Sequence, residues 1–462
     1  MTGPVEAPSS ELDAALAWFV KDNRLPGAAA GVVYEDGIAW SGGAGYADVA
    51  TGTTADSATL YCVASITKTF TGTAVMQLRD AGRLALDEPV ATYIPELRKA
   101  ALPRAEIDAV TVRRMLAHES GLASEPPGTD WTVPAYEGLA ARTLERVAEI
   151  VTRIPPNRQP KYSNLAYQLL GEVVTRITGY PYVKYVENEI LVPLGMVSTS
   201  FDPAANYLDA RRATGYAPRA FSDELDVITA MPQLWAEGGL WSCVDDLSRW
   251  ISVQMNAHRG APAQPAILSA ASLREMHAPR YLDGSAWSQA WGLSWFAVRR
   301  DDVIWIQHSG GLPGFSTNVC FDPDGQVGAI ALINGSGDAS ALAMDLAAIA
   351  RRAARARPPR IKPPVPTPYE FRPLLGLYSR PAHSQVVRLE WRDGKLTLID
   401  PQVPGWRPTL APTDDPRVFV VEPGYRQSGE PVTFHELPDG RVDSVFLADG
   451  TLYRLEHLTP LD

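Results

Sequence analysis

Strand-like runs lie near the two ends of the first 355 residues of this 462-residue chain and are scarce between them, which restricts how a sheet can form. Near the start, Ala28–Tyr34 and Ile38–Gly43 flank the hairpin turn Glu35-Asp36-Gly37. Far downstream, Gly292–Arg299, Val303–His308, Phe315–Phe321 and Val327–Asn334 read as an antiparallel meander, with turns at Asp301-Asp302 and Asp322-Pro323-Asp324-Gly325. A helix through Leu12, Leu16 and Phe19 precedes the first pair, and another over Ala339–Arg355 follows the meander. The pattern predicts an α/β arrangement: one antiparallel sheet built from about 1–60 and 290–357, flanked by those helices. Residues 61–289, mostly helix and long loop, form a second, helical lobe.

Within that lobe one stretch carries chemistry. The run Tyr61-Cys62-Val63-Ala64 ends in Ser65, and Phe70, Ala74, Leu78 and Ala81 then recur at helical spacing until Gly82. Lys68 lies three residues beyond Ser65, on the same helix face. A hydroxyl beside an amine at the positive end of a helix is one route to an activated nucleophile. The competing reading makes Ser65 an N-cap and Lys68 a solvated helix residue. Two further clusters accompany the pair: Lys161-Tyr162-Ser163-Asn164, in a loop before a helix, and His308-Ser309-Gly310-Gly311, read as the end of a strand opening a glycine-rich turn to Gly314.

Composition narrows the partners. Lys and Arg total 42 against 53 Asp and Glu, a formal net charge of -11, which argues against nucleic acid or an anionic membrane. The apolar runs fall short of the roughly 18 residues a membrane span needs, and the N-terminus shows no signal-peptide pattern, so a cytoplasmic protein is expected. Three scattered cysteines, Cys62, Cys243 and Cys320, give neither a metal spacing nor a disulfide framework. Oligomeric state stays open.

Ser65-Ile66-Thr67-Lys68, Tyr162-Ser163-Asn164 and His308-Ser309-Gly310 together resemble the S-x-x-K, Y-x-N and K-T-G motifs of the serine β-lactamase and penicillin-binding-protein family. The resemblance is to the branch of class C β-lactamases, D,D-carboxypeptidases, D-aminopeptidases and esterases, and it spans roughly residues 10 to 355. Supporting stretches are Leu116-Ala117-His118-Glu119-Ser120-Gly121-Leu122 and Gly238-Gly239-Leu240-Trp241-Ser242. It implies a β-lactamase-like fold and a Ser65 acyl-enzyme, with no metal and no organic cofactor.

On that resemblance Ser65, Lys68 and Tyr162 are catalytic, Asn164 holds Lys68 and the substrate amide, and Gly311 shares the oxyanion with the Ser65 N–H. Lys68 serves as a base only as the free amine, a form that burial and a helix N-terminus both favour. His308 is the departure: a permanent cation there would anchor a substrate carboxylate, whereas histidine is charged only part of the time near neutrality. Glu237, Trp235 and Trp241 are pocket candidates; Glu237 either recognises a substrate amine or is a solvated loop residue, and the tryptophans either line an acyl pocket or pack the core. His118 is expected to be structural.

Six prolines in 358–368 predict a stiff spacer, and 369–462 reads as a small antiparallel barrel or sandwich similar to the lipocalin-like domain appended to some family members. The expected function is a serine hydrolase acting on a carboxylic ester or a small D-amino-acid amide, with a small-molecule ester, amide or peptide as substrate. Alternatives are a nonribosomal-peptide thioesterase or cyclase, a β-lactamase or D,D-peptidase, and a catalytically silent binding protein.

Overall fold

The computed structural model describes residues 9–355 except 36, 128–142, 203–207, 219–223, 229–234, 260–266, 283–286 and 301. It also describes residues 365–455 except 381–385, 393, 400–406, 423–428 and 448–449. Two compact units divide at Arg357 and Pro358. Most of the spacer expected at 358–368 lies outside the described residues.

The first unit opens with α1 (Ser9–Asp22), β1 (Gly27–Tyr34), β2 (Gly37–Asp48) and β3 (Thr53–Thr54). The lobe then contributes α2 (Thr67–Asp80), α3 (Asn164–Thr178) and α4 (Val244–Arg259), besides shorter helices. The chain returns through β4 (Tyr281–Leu282), β5 (Gln289–Trp291), β6 (Phe296–Arg300), β7 (Val303–Leu312), β8 (Phe315–Asp322) and β9 (Val327–Ile333), and closes with α5 (Ala339–Arg355). These strands form a sheet of order β3-β2-β1-β9-β8-β7-β6-β5-β4, every pairing antiparallel. The two ends of the unit meet where β1 pairs β9, Ala30 opposite Ala331.

β1 is buried almost throughout because both sheet faces are covered. Ala28, Ala30 and Val32 face Leu12 and Leu16 of α1 and Leu342 and Leu346 of α5. The alternate residues Ala29 and Val33 face the larger core, with Phe70 of α2 and Leu247, Trp250 and Ile251 of α4. Phe70 and Trp250 stack at 3.9 Å, which ties α2 to α4. Burying each large apolar side chain contributes about 1.5–3 kcal/mol, so this second face holds the lobe on the sheet. The lobe also carries two short ladders, Tyr61–Cys62 with Trp241–Ser242 and Tyr216–Pro218 with Leu225–Val227.

One local expectation is corrected. His308 to Gly311 do not open a turn: β7 continues to Leu312, and only Pro313-Gly314 make the bend to β8. Gly314 alone of that run has a left-handed φ, of 82°. Gly310 is in the strand because nothing larger fits; a Cβ there would meet the Val63 carbonyl oxygen at 2.1 Å. The absence of a side chain is what lets β7 press against the turn that carries Ser65.

The second unit is a closed eight-stranded antiparallel barrel running from Gly376–Ser379 to Gly450–Arg454. Tyr378, Val387, Leu398, Phe419, Val432, Phe434 and Leu452 fill its interior. Among the described residues no helix is long and apolar enough to cross a membrane.

Candidate active site

Ser65 sits in the 3-10 turn Ala64–Ile66 that runs into α2. Ala64 takes a left-handed φ of 47°, a strained conformation for a residue with a Cβ that costs of order 1–3 kcal/mol and clusters at functional sites. Ser65 is not the cap of α2; that position belongs to Ile66, and Ser65 remains partly exposed. Its hydroxyl is met instead by Lys68 Nζ at 3.0 Å. The spacing of three residues is enough for this, since such pairs share a helix face.

Lys68 is fully buried, which rules out the solvated reading. Its Nζ donates to Ser65 Oγ and to the backbone carbonyl of Glu237, and the rings of Tyr162 and Tyr167 lie 5.0 and 5.5 Å away. Among the described residues no carboxylate comes within ion-pair distance of it. The segment holding that carbonyl is clamped to α2: Thr71 Oγ1 donates to Ala236 O, the Leu240 N–H donates to Thr67 Oγ1, and the Val63 N–H donates to Leu240 O.

Tyr162 enters from the loop ahead of α3, and that loop is pinned at every step. The Lys161 N–H donates to His118 O, the Ser163 N–H to His118 Nδ1 at 3.1 Å, and the Asn164 N–H to Ser124 O. Ser163 caps α3 by accepting from the Ala166 N–H, while its hydroxyl donates to Ala123 O. The Tyr162 ring stacks on the His118 imidazole with centroids 4.3 Å apart. His118 is thus the platform for the phenol, and burial holds its pKa well below the usual histidine value. Because Nδ1 accepts a hydrogen bond, its proton resides on Nε2.

Asn164 does not reach Lys68. Its Nδ2 donates to Glu125 Oε1 at 2.8 Å. Sequence reading missed Glu125, whose carboxyl is raised by burial and whose nearest charges include Lys68 and Lys161. Nothing local flags it, since its partner lies 39 residues away.

The third segment is β7. His308 is 1% exposed, its Nδ1 lies 2.7 Å from Ser309 O, and burial draws its pKa down to about 3. A carbonyl accepts only, so the Nδ1 carries the proton and Nε2 is a bare acceptor, with no partner among the described residues. The residue is neutral. Next along the strand, Leu312 pairs Phe315 across a two-residue turn, which makes Gly311 a non-hydrogen-bonded position toward β8. Its N–H therefore points to the other edge of β7, which β6 leaves uncovered beyond the Phe296–Gln307 pair. Thr317 of β8 donates to Val63 O at 3.0 Å, and Gly310 opposite it presses on the same carbonyl, so this face of the β7–β8 pair lies against the Ser65 turn. Lys68 is the common neighbour: Ser65 Oγ lies 3.0 Å from its Nζ, the Tyr162 ring centre lies 5.0 Å from it, and its charge acts on His308.

The pocket candidates divide. Glu237 is 3% exposed, so it is no solvated loop residue. Among the described residues neither of its carboxyl oxygens has a hydrogen-bond partner in good geometry, and burial pushes its pKa up to about 7 against weaker opposing pulls from nearby backbone N–H groups and Lys68. Trp235 lines a cavity of about 410 Å³ with Gln168, Gly171 and Tyr182. Trp241 lines a separate one of about 300 Å³ with Arg212, Thr214 and Phe315, the Arg212 guanidinium lying 4.6 Å from its ring centre. The two tryptophans do not share a wall.

A family model described as Beta-lactamase matches residues 12–354. The chain belongs to the β-lactamase family. That family consists of serine hydrolases. The chain is 27% identical over 331 residues to Protein flp of Staphylococcus aureus (strain COL), a match covering 70% of this chain and 62% of that protein. It thus spans under two thirds of the length of that relative. Among solved structures, the octameric penicillin-binding protein homologue from Pyrococcus abyssi matches with a TM-score of 0.62 at 21% identity, over 96% of this chain and 99% of that one. The D-stereospecific amidohydrolase from Streptomyces sp. matches with a TM-score of 0.60 at 26% identity, over 72% of this chain and 96% of that one.

Proposed function

We propose that this member of the family hydrolyses a carboxylic ester or a small D-amino-acid amide through a Ser65 acyl-enzyme. The observation that carries the substrate class is the neutral, buried His308 in the place where a cation would anchor a carboxylate. An acceptor nitrogen there suits a neutral O–H or N–H donor and repels a carboxylate, which disfavours β-lactams and D-alanyl peptides. The likeness to a D-stereospecific amidohydrolase supports the amide half of the reading.

In the acylation step the free amine of Lys68 takes the Ser65 proton along their 3.0 Å contact, and Oγ attacks the carbonyl carbon. The Ser65 and Gly311 N–H groups receive the oxyanion, each contributing a few kcal/mol. Tyr162 gives a proton to the leaving group as the C–O or C–N bond breaks, and is reprotonated from Lys68. Water then repeats the sequence in reverse on the acyl-enzyme and restores Ser65.

A panel of chromogenic ester, D-alanyl amide, peptidyl thioester and cephalosporin tests this. Fast turnover of the ester or the amide with slow turnover of the cephalosporin is the expected result. Preferred turnover of the cephalosporin contradicts it, and a cyclic rather than linear product from the thioester reassigns the acyl acceptor from water to an amine.

A further inference from the structure

The least compensated charge-bearing group near Lys68 is not one the acylation step uses. Glu237 presents its backbone carbonyl to the Lys68 amine, and the residue is 3% exposed with neither carboxyl oxygen in a well-formed hydrogen bond among the described residues. Buried carboxylates ordinarily gain a cation or several donors in return for lost hydration; this one has only the weaker pulls of the Glu237 and Trp235 backbone N–H groups and of Lys68, which its burial outweighs. The backbone that carries it is anchored on both sides, by the bond from Thr71 to Ala236 O and by that from the Leu240 N–H to Thr67.

The groups facing it come from three directions. Lys68 on α2 attracts a negative charge, Glu125 repels one, and the buried phenol of Tyr182 is engaged by Thr71. A group that titrates in such a place exchanges influence with the nearest cation, since each charge alters the free energy of the other. Its titration falls near neutrality, pushed up to about 7 by burial.

We propose that the Glu237 carboxyl is a positioning residue that governs the proton on Lys68 from behind, rather than a contact for a substrate amine. Ionised, it holds the proton on the amine and strengthens Lys68 as a base once that amine is free. Protonated, it leaves the amine to its neutral partners, Ser65 Oγ and the carbonyl. No covalent bond is involved and no proton passes directly between the two groups; the carboxyl acts on the amine through its charge. This rests on the Ser65 acyl-enzyme reading above.

The test is the pH dependence of Ser65 acylation, read as the burst of a chromogenic ester with the full chain, for wild type, Glu237→Gln and Glu237→Asp. Removing a nearby negative charge makes the amine easier to deprotonate, so Glu237→Gln should lower the midpoint of the alkaline rise by about one pH unit. Its plateau rate should fall several-fold, because the weaker base removes the Ser65 proton more slowly. Glu237→Asp should return the midpoint toward wild type. A merely structural role would lower the plateau and leave the midpoint in place, which overturns the inference, as does a midpoint that rises. Infrared difference spectra give a second readout that does not depend on turnover: a carboxylic-acid band lost across neutrality in the wild-type chain, and shifted in Glu237→Asp, supports the inference, and no such band in the wild-type chain overturns it. If wild type forms no acyl-enzyme on Ser65, the functional reading itself fails; if it does, and the midpoints coincide, only the role of Glu237 falls.

Discussion

Lys68 reaches the Ser65 hydroxyl at 3.0 Å while its second acceptor is a backbone carbonyl, that of Glu237, and not a carboxylate. A carboxylate in contact would hold the ammonium form outright. A carbonyl orients the amine and leaves its lone pair free to face Ser65 once a proton is lost.

Lys68→Met keeps the volume of the side chain and removes the base. The burst rate with an activated ester should fall about 10²–10⁴-fold, the usual contribution of general base catalysis. Tyr162→Phe should preserve the His118 stacking and thermal stability, yet slow turnover most for poor leaving groups. Equal slowing for good and poor leaving groups would move the leaving-group proton elsewhere.

Glu237 also makes a stability prediction. Its pKa is raised on folding from 4.5 to about 7, so the unfolded chain ionises first and stability falls as pH rises through that window. Above it the full cost is about 3 kcal/mol, because a tenfold change in proton affinity corresponds to about 1.4 kcal/mol. Glu237→Gln should therefore unfold at higher denaturant than wild type at about pH 8 and match it near pH 4. A difference of the same size at both pH values would contradict the assignment.

Adjacent glycines of β7 should respond differently. A Cβ on Gly310 meets the Val63 carbonyl oxygen at 2.1 Å, whereas one on Gly311 meets nothing within 4 Å among the described residues. Gly310→Ala should lose about 1–3 kcal/mol by overpacking, and Gly311→Ala should unfold close to wild type. Denaturant melts of the two variants check this.

How far this site can be read from sequence follows from how local each relationship is. The Ser65–Lys68 pair is fixed by helix spacing, and the sheet made from both ends of the first unit shows in the strand pattern. The extent of β7 does not show, because a glycine run reads as a turn until the Val63 carbonyl is seen pressing on Gly310. Glu237 is equally opaque: beside two glycines it reads as a loop glutamate, and only the clamps from Thr67 and Thr71 bury it. The Glu125–Asn164 bond joins two segments that no periodicity relates.

His308 offers a gain-of-function test. His308→Lys puts a cation where the wild-type residue is neutral, and a charge-assisted bond to a carboxylate is worth about 1.5–3 kcal/mol. Acylation by a penicillin should rise about tenfold or more relative to an uncharged ester. An unchanged ratio would mean that the position does not face the substrate.

Intact-protein mass spectrometry after a fluorophosphonate probe addresses the nucleophile itself. One added mass on the wild-type chain, mapped to the peptide bearing Ser65 and missing from Ser65→Ala, is the predicted result. Wild type that gains no mass, or a Ser65→Ala chain that still does, would contradict it.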